Sequence, residues 1–161
     1  MLHLKRRAVR VTAITAVAAA TLVMTAAAGA PATGAAAAKD KPFTETITGA
    51  QISQNGSTLV SVWSDKNSVE GDGAGVVTIT LNGNEATGSG TQYWASGAAK
   101  FTETFTLEAP AADGTIPYTG SGKCAGGTGV HKNEKCSFTF VGSLNPTTNV
   151  FTSNVTGTLT R

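Results

Sequence analysis

From Phe43 to the C-terminus the chain keeps a rhythm of about ten residues, a run alternating apolar and hydroxylated side chains followed by a turn. Alternation with period two puts one face of each run inside and the other in solvent, which is the signature of half-buried β-strands. Val77, Ile79 and Leu81 share one side of their run, Thr78 and Thr80 the other, and Asn82-Gly83-Asn84 then signals a hairpin. Strands are expected over residues 43–48, 58–63, 76–81, 87–94, 100–108, 115–118, 136–144 and 150–160. The polar stretch 64–75 reads as a loop, and the glycine-rich stretch 120–129 is assigned no strand. No segment carries a 3.6-residue apolar stripe, so the expected fold is all-β: a small antiparallel barrel of about eight strands, or a sandwich. A last strand reaching Thr160 favours pairing with the first and closure, which removes exposed edges.

The segment ahead of this pattern has another character. Lys5, Arg6, Arg7 and Arg10 precede an uncharged Ala/Thr/Val-rich run from Val11 to Ala28, then small residues up to Ala38. A basic start, an apolar middle and a small-x-small site (Ala36, Ala38) make a secretory signal over residues 1–38, with Ala26-Ala27-Ala28 as a second cleavage point. The expected working domain is therefore 39–161, a secreted, extracellular chain of bacterial style.

Removing 1–38 takes away four of the twelve Lys and Arg and none of the ten Asp and Glu, so the net charge changes from +2 to −2. This speaks against a nucleic-acid partner, and nothing in 39–161 suggests a membrane-surface helix. The remainder is long enough for one core, and its Gly and Thr content disfavours helices.

Cys124 and Cys136 are the only cysteines. In an oxidising compartment they are expected as a disulfide closing the loop that contains His131. A metal site on Cys124, His131 and Cys136 would have too few soft ligands and no CxxC pair. His131, among Lys132, Asn133, Glu134 and Lys135, reads as a solvated loop tip without a catalytic partner. Gly120-Ser-Gly-Lys123 fails as a phosphate loop: Pro117 stands where that motif needs glycine and Cys124 where it needs Ser or Thr. Asp65, Asn67, Glu70 and Asp72 do not fit a calcium loop's register and read as a solvated acidic loop. No catalytic set, cofactor site or metal site is assigned. The aromatic residues Trp63, Trp94, Phe101 and Phe105 either fill a barrel core or line a ligand cavity. Glu103 alternates with Phe101 and Phe105, and is either a cavity carboxylate or a solvent-facing strand residue.

The stretch Gly120-Ser-Gly-Lys-Cys-Ala-Gly-Gly-Thr-Gly129, with Gly114-Thr-Ile116 before it and Gly142-x-Leu-Asn-Pro146 after it, resembles a pattern of the allene oxide cyclase and dirigent proteins. Cys124 stands where that family carries an aromatic residue. The resemblance implies an eight-stranded barrel, a homo-oligomer, and a small apolar or phenolic molecule held inside without a cofactor; some members guide cyclisation or coupling there. The leading expectation is non-catalytic binding of a small apolar ligand. The alternatives are a cofactor-free cyclase or isomerase using Glu103, and a protein-interaction module presenting the loop 124–136.

Overall fold

The computed structural model describes residues 40–161, so the leader read over residues 1–38 lies outside the described residues. Eight antiparallel strands, β1 (Lys41–Asn55), β2 (Thr58–Asn67), β3 (Gly71–Asn82), β4 (Glu85–Trp94), β5 (Gly97–Leu107), β6 (Ile116–Gly127), β7 (Lys135–Asn145) and β8 (Val150–Thr160), follow one another around a closed barrel. β8 returns to β1 from Lys41 opposite Leu159 to Ala50 opposite Val150, and this seam leaves no free edge.

One stretch expected as a loop and one assigned no strand both lie in strands. Residues 64–75 belong to the long β2–β3 hairpin, which turns only at 68–70, and the glycine-rich segment lies mostly in β6. Of the supposed acidic loop, Asp65 and Asn67 point inward and are buried. Polar composition suggested loops there because this end of the barrel has a polar interior.

Inward positions carry Phe43, Trp63, Val77, Ile79, Phe101, Tyr118, Phe140, Val155 and Leu159. They form two apolar clusters, one on the β2–β5 wall and one on the β1 and β6–β8 wall, and Ile47, Phe105, Phe138 and Phe151 touch both. Outward positions are largely Thr and Ser, and some pair across strands, as Thr139 with Thr156. No helix among the described residues is long and apolar enough to cross a membrane.

Many inward aromatic rings lie across a glycine of the next strand: Trp63 over Gly75, Phe101 over Gly90, Phe138 over Gly122 and Phe43 over Gly157. A β-carbon on any of these glycines would collide with the ring. The rings thus lie down on bare backbone instead of crossing the lumen, an arrangement that covers strand glycines and keeps the middle of the barrel open.

Candidate functional site

The opening left by these rings is an interior cavity of about 290 Å³, close to the lower end of ordinary small-molecule sites. Trp63, Trp94, Phe101, Glu103 and Phe105 all line it. Glu45, Gln92, Tyr118, Phe138 and Phe140 join them. The two Phe-Thr-Glu-Thr segments, at 43–46 and 101–104, play the same part in different strands, with Phe and Glu inward and Thr outward. Glu45 could have been found by the alternation that singled out Glu103.

Glu103 is the charged residue of the lumen wall that has neither a hydrogen-bond nor an ion-pair partner among the described residues. Its strand neighbours are Gly88, over which its own carboxyl lies, and Gly122, which the Phe138 ring covers. It has no protein hydrogen-bond partner, and burial alone pushes its carboxyl up to about 7. Glu103 is half-buried and lines the lumen, so its strand places it on the inner face and not toward bulk solvent. Nearby, the Tyr118 hydroxyl shares a 2.7 Å hydrogen bond with Ser153 Oγ; burial first, and then the charge of Glu103, hold its pKa up at about 12.

A second carboxyl lies toward the barrel end where β1 begins and β8 finishes. Glu45 is 7% exposed and accepts hydrogen bonds from Asn67 Nδ2, at 3.1 Å, and from the Gln92 amide. Burial and then the neighbouring Asp65 push it up to about 7 against those two donors. Asp65 is itself raised by burial, although its Oδ2 accepts from Trp94 Nε1 at 3.1 Å; its Oδ1 and the Trp63 Nε1–H have no partner.

Above this pair the end is closed by a knot of side chains. A 3-10 turn, Gly129–His131, folds the loop between β6 and β7 back onto the barrel and buries His131 completely. His131 is thus not a solvated loop tip. Its ring stacks on Trp94 at 4.9 Å, with Nδ1 3.0 Å from Glu134 Oε2 and Nε2 3.1 Å from Ser96 Oγ. Arg161 Nε donates to Glu134 Oε2 at 2.6 Å, and its other arm reaches Glu70. Burial raises Glu70, but the Ser96 hydroxyl and Arg161 outweigh it and hold its carboxyl below the ordinary range.

Ser96, His131 and Glu134 stand in the order of a nucleophilic triad, yet the chemistry is wrong. The Ser96 hydroxyl has one proton and donates it to Glu70 Oε2 at 2.7 Å, and an oxyanion forming there would face that carboxylate. A fully buried imidazole also leaves no approach for a substrate. The knot is a plug, fastened beside the Cys124–Cys136 disulfide, whose two residues sit directly opposite each other on β6 and β7. Within the loop 124–136, Lys132, Asn133 and Lys135 are exposed while Glu134 is turned inward, which shrinks any face that this loop could present to a partner.

At the far end the inward residues Leu81, Leu107, Ile116, Leu144 and Phe151 are only half-buried and form an apolar mouth. The cavity is therefore a cup: apolar at the rim, acidic at one point in its wall, and polar at its floor. No group of His, Cys, Asp and Glu among the described residues has the arrangement of a metal site. No family model, curated protein or solved structure matches the chain. A barrel supports many unrelated activities, so the cup itself must carry the functional argument.

Proposed function

We propose that the protein is a container that holds a small, mainly apolar molecule inside its barrel without transforming it. The observation that carries this reading is the cavity itself, walled by aromatic rings laid flat on glycines and interrupted by one unpartnered carboxyl. Concave, mostly apolar sites with a few placed polar groups are how proteins hold small molecules. Export belongs to the reading; the N-terminal pattern and the disulfide are its support. Kinship with the allene oxide cyclase and dirigent barrels is part of the proposal too, resting on the glycine-rich match at 120–129.

Titration with the fluorescent apolar probe N-phenyl-1-naphthylamine tests the container. We expect saturable binding at one site, weakened by Ile116→Trp, which narrows the mouth. A linear, unsaturable response, or binding indifferent to that substitution, would remove the lumen as the site.

One observation favours a second reading, a cofactor-free cyclase or isomerase. A carboxyl held near 7 in an apolar cavity is poised to take and return a proton at neutral pH. Turnover of an epoxide or enone substrate that disappears in Glu103→Gln, with substrate binding retained, would select this reading over simple storage.

A further inference from the structure

We infer that the molecule held in the barrel is an amphiphilic cation, an apolar body bearing a protonated amine that pairs with Glu103. The inference rests on the container reading and gives its occupant a chemistry. Every formally charged side chain along the cavity wall is acidic: Glu45, Glu70, Glu103 and Glu134, with no Lys or Arg among the lining residues. Glu70 and Glu134 are answered from outside by Arg161 and His131, and Glu45 by the amides of Asn67 and Gln92. Glu103 is answered by nothing.

A half-buried carboxyl that faces an apolar cavity without a protein partner is best satisfied by a counter-charge in that cavity. An anionic occupant such as a fatty acid would bring a second negative charge into the same enclosed space, where repulsion is weakly screened. A cation would meet the carboxylate and also the faces of the rings beside it: Phe101 and Phe105 two residues to either side, and Phe138 across Gly122. Aromatic faces attract ammonium groups, more strongly when water is excluded. Glu103 itself lies over Gly88 and the Phe138 ring over Gly122, so that ammonium would sit on the lumen side of the carboxyl, in the cavity.

Binding should then be coupled to proton loss. With Glu103 at about 7, its ionised fraction rises from about one-tenth at pH 6 to about nine-tenths at pH 8, while an alkylamine stays protonated throughout. On the adjoining strands the facing titratable group is Tyr118 of β6, which stays neutral over this range, while β4 offers only the uncharged Gln92. Glu45 of β1 and Asp65 of β2 lie toward the floor, and Glu45 titrates over the same interval, so it needs its own control.

The test uses the full chain and two isosteric probes, 2-(1-naphthyl)ethylamine and 2-(1-naphthyl)ethanol, titrated calorimetrically at pH 6, 7 and 8. We expect the amine to bind at least tenfold tighter than the alcohol at pH 8, and this advantage to shrink about tenfold at pH 6. Glu103→Gln should bring the amine down to the level of the alcohol, and an unchanged far-UV circular dichroism spectrum checks that the variant is folded. Glu45→Gln should keep most of the advantage. Equal binding of amine and alcohol, or an advantage that survives Glu103→Gln, overturns the cation inference and leaves the container standing. Tighter amine binding at pH 6 than at pH 8 overturns it as well, because the carboxylic acid would then be the form that binds. If neither probe binds, the container reading fails and takes this inference with it.

Discussion

The carboxyl of Glu103 lies over the bare backbone of Gly88: a β-carbon on Gly88 would stand 2.8 Å from Glu103 Oε1 and 2.9 Å from its Cγ. Gly88→Ala should therefore displace the Glu103 side chain and destabilise the barrel by about 1–3 kcal/mol, as crowding of packed sites does. In a Glu103→Ala background the same change should cost much less. Urea unfolding of the four proteins of that cycle checks the coupling, and additive costs would break the link between the two residues.

Two inward carboxyls make stability depend on pH in an uncommon direction. Burial raises Glu103 and Glu45 to about 7, with Asp65 adding to the effect on Glu45, whereas both start from an ordinary value of 4.5. The folded state therefore binds more protons than the unfolded chain between those values. Stability is greatest on the acid side of this window, falls as pH rises from 4.5 through 7, and then levels. Thermal unfolding should show a higher Tm at pH 5 than at pH 8, and Glu103→Gln should flatten its share of that slope, on the order of 2 kcal/mol. Glu70, held below its ordinary value, works in the opposite sense at lower pH and sets the acid limit of the optimum.

How far the sequence could be read depended on which side chains reported their own surroundings. The barrel was legible because Val, Ile, Phe and Thr alternate openly, as at 76–81, and because Asn82-Gly83 marks its turn. β6 was hidden: glycine has no side chain with which to display a period, so Gly120 and Gly122 showed no strand pattern while occupying inward strand positions. Glu103 could be narrowed to two environments by its phase with Phe101 and Phe105, but only closure of the sheet decides between them. His131 was misleading because its neighbours Lys132, Asn133 and Lys135 are truly solvated, and a single 3-10 turn tucks the ring away from them. Its contacts with Trp94, Ser96 and Arg161 come from distant parts of the chain and leave no local pattern.

The plug should be worth more than its surface position suggests. His131→Ala removes a fully buried ring and strips partners from Glu134, Ser96 and Trp94 at once. A loss of about 3–5 kcal/mol is expected from the cavity left by a fully buried ring and the hydrogen bonds lost by Glu134 and Ser96. Denaturant unfolding measures the loss, and near-UV circular dichroism should record altered Trp94 packing. A change below about 1 kcal/mol would show that the knot is loosely held.

The disulfide pins the same end. Cys124 and Cys136 are 12 positions apart in sequence, and replacing both with Ala should cost about 3 kcal/mol through the freed chain, with the barrel still able to form. Hydrogen exchange should accelerate first at residues 128–135 and leave the β1–β8 seam protected. Uniform acceleration would instead make the bridge a global staple.

Because each large ring rests on a neighbour's missing side chain, the lumen is adjustable in increments of a single carbon. One methyl group at Gly75 would meet only the Trp63 ring and tip it, whereas at Gly90, Gly122 or Gly157 it would press both on a ring, Phe101, Phe138 or Phe43, and on a backbone carbonyl of the adjoining strand, so that ring and frame shift together. Point mutation alone could thus carry descendants of this barrel from one occupant to another, each step a small trade of packing for a new contour.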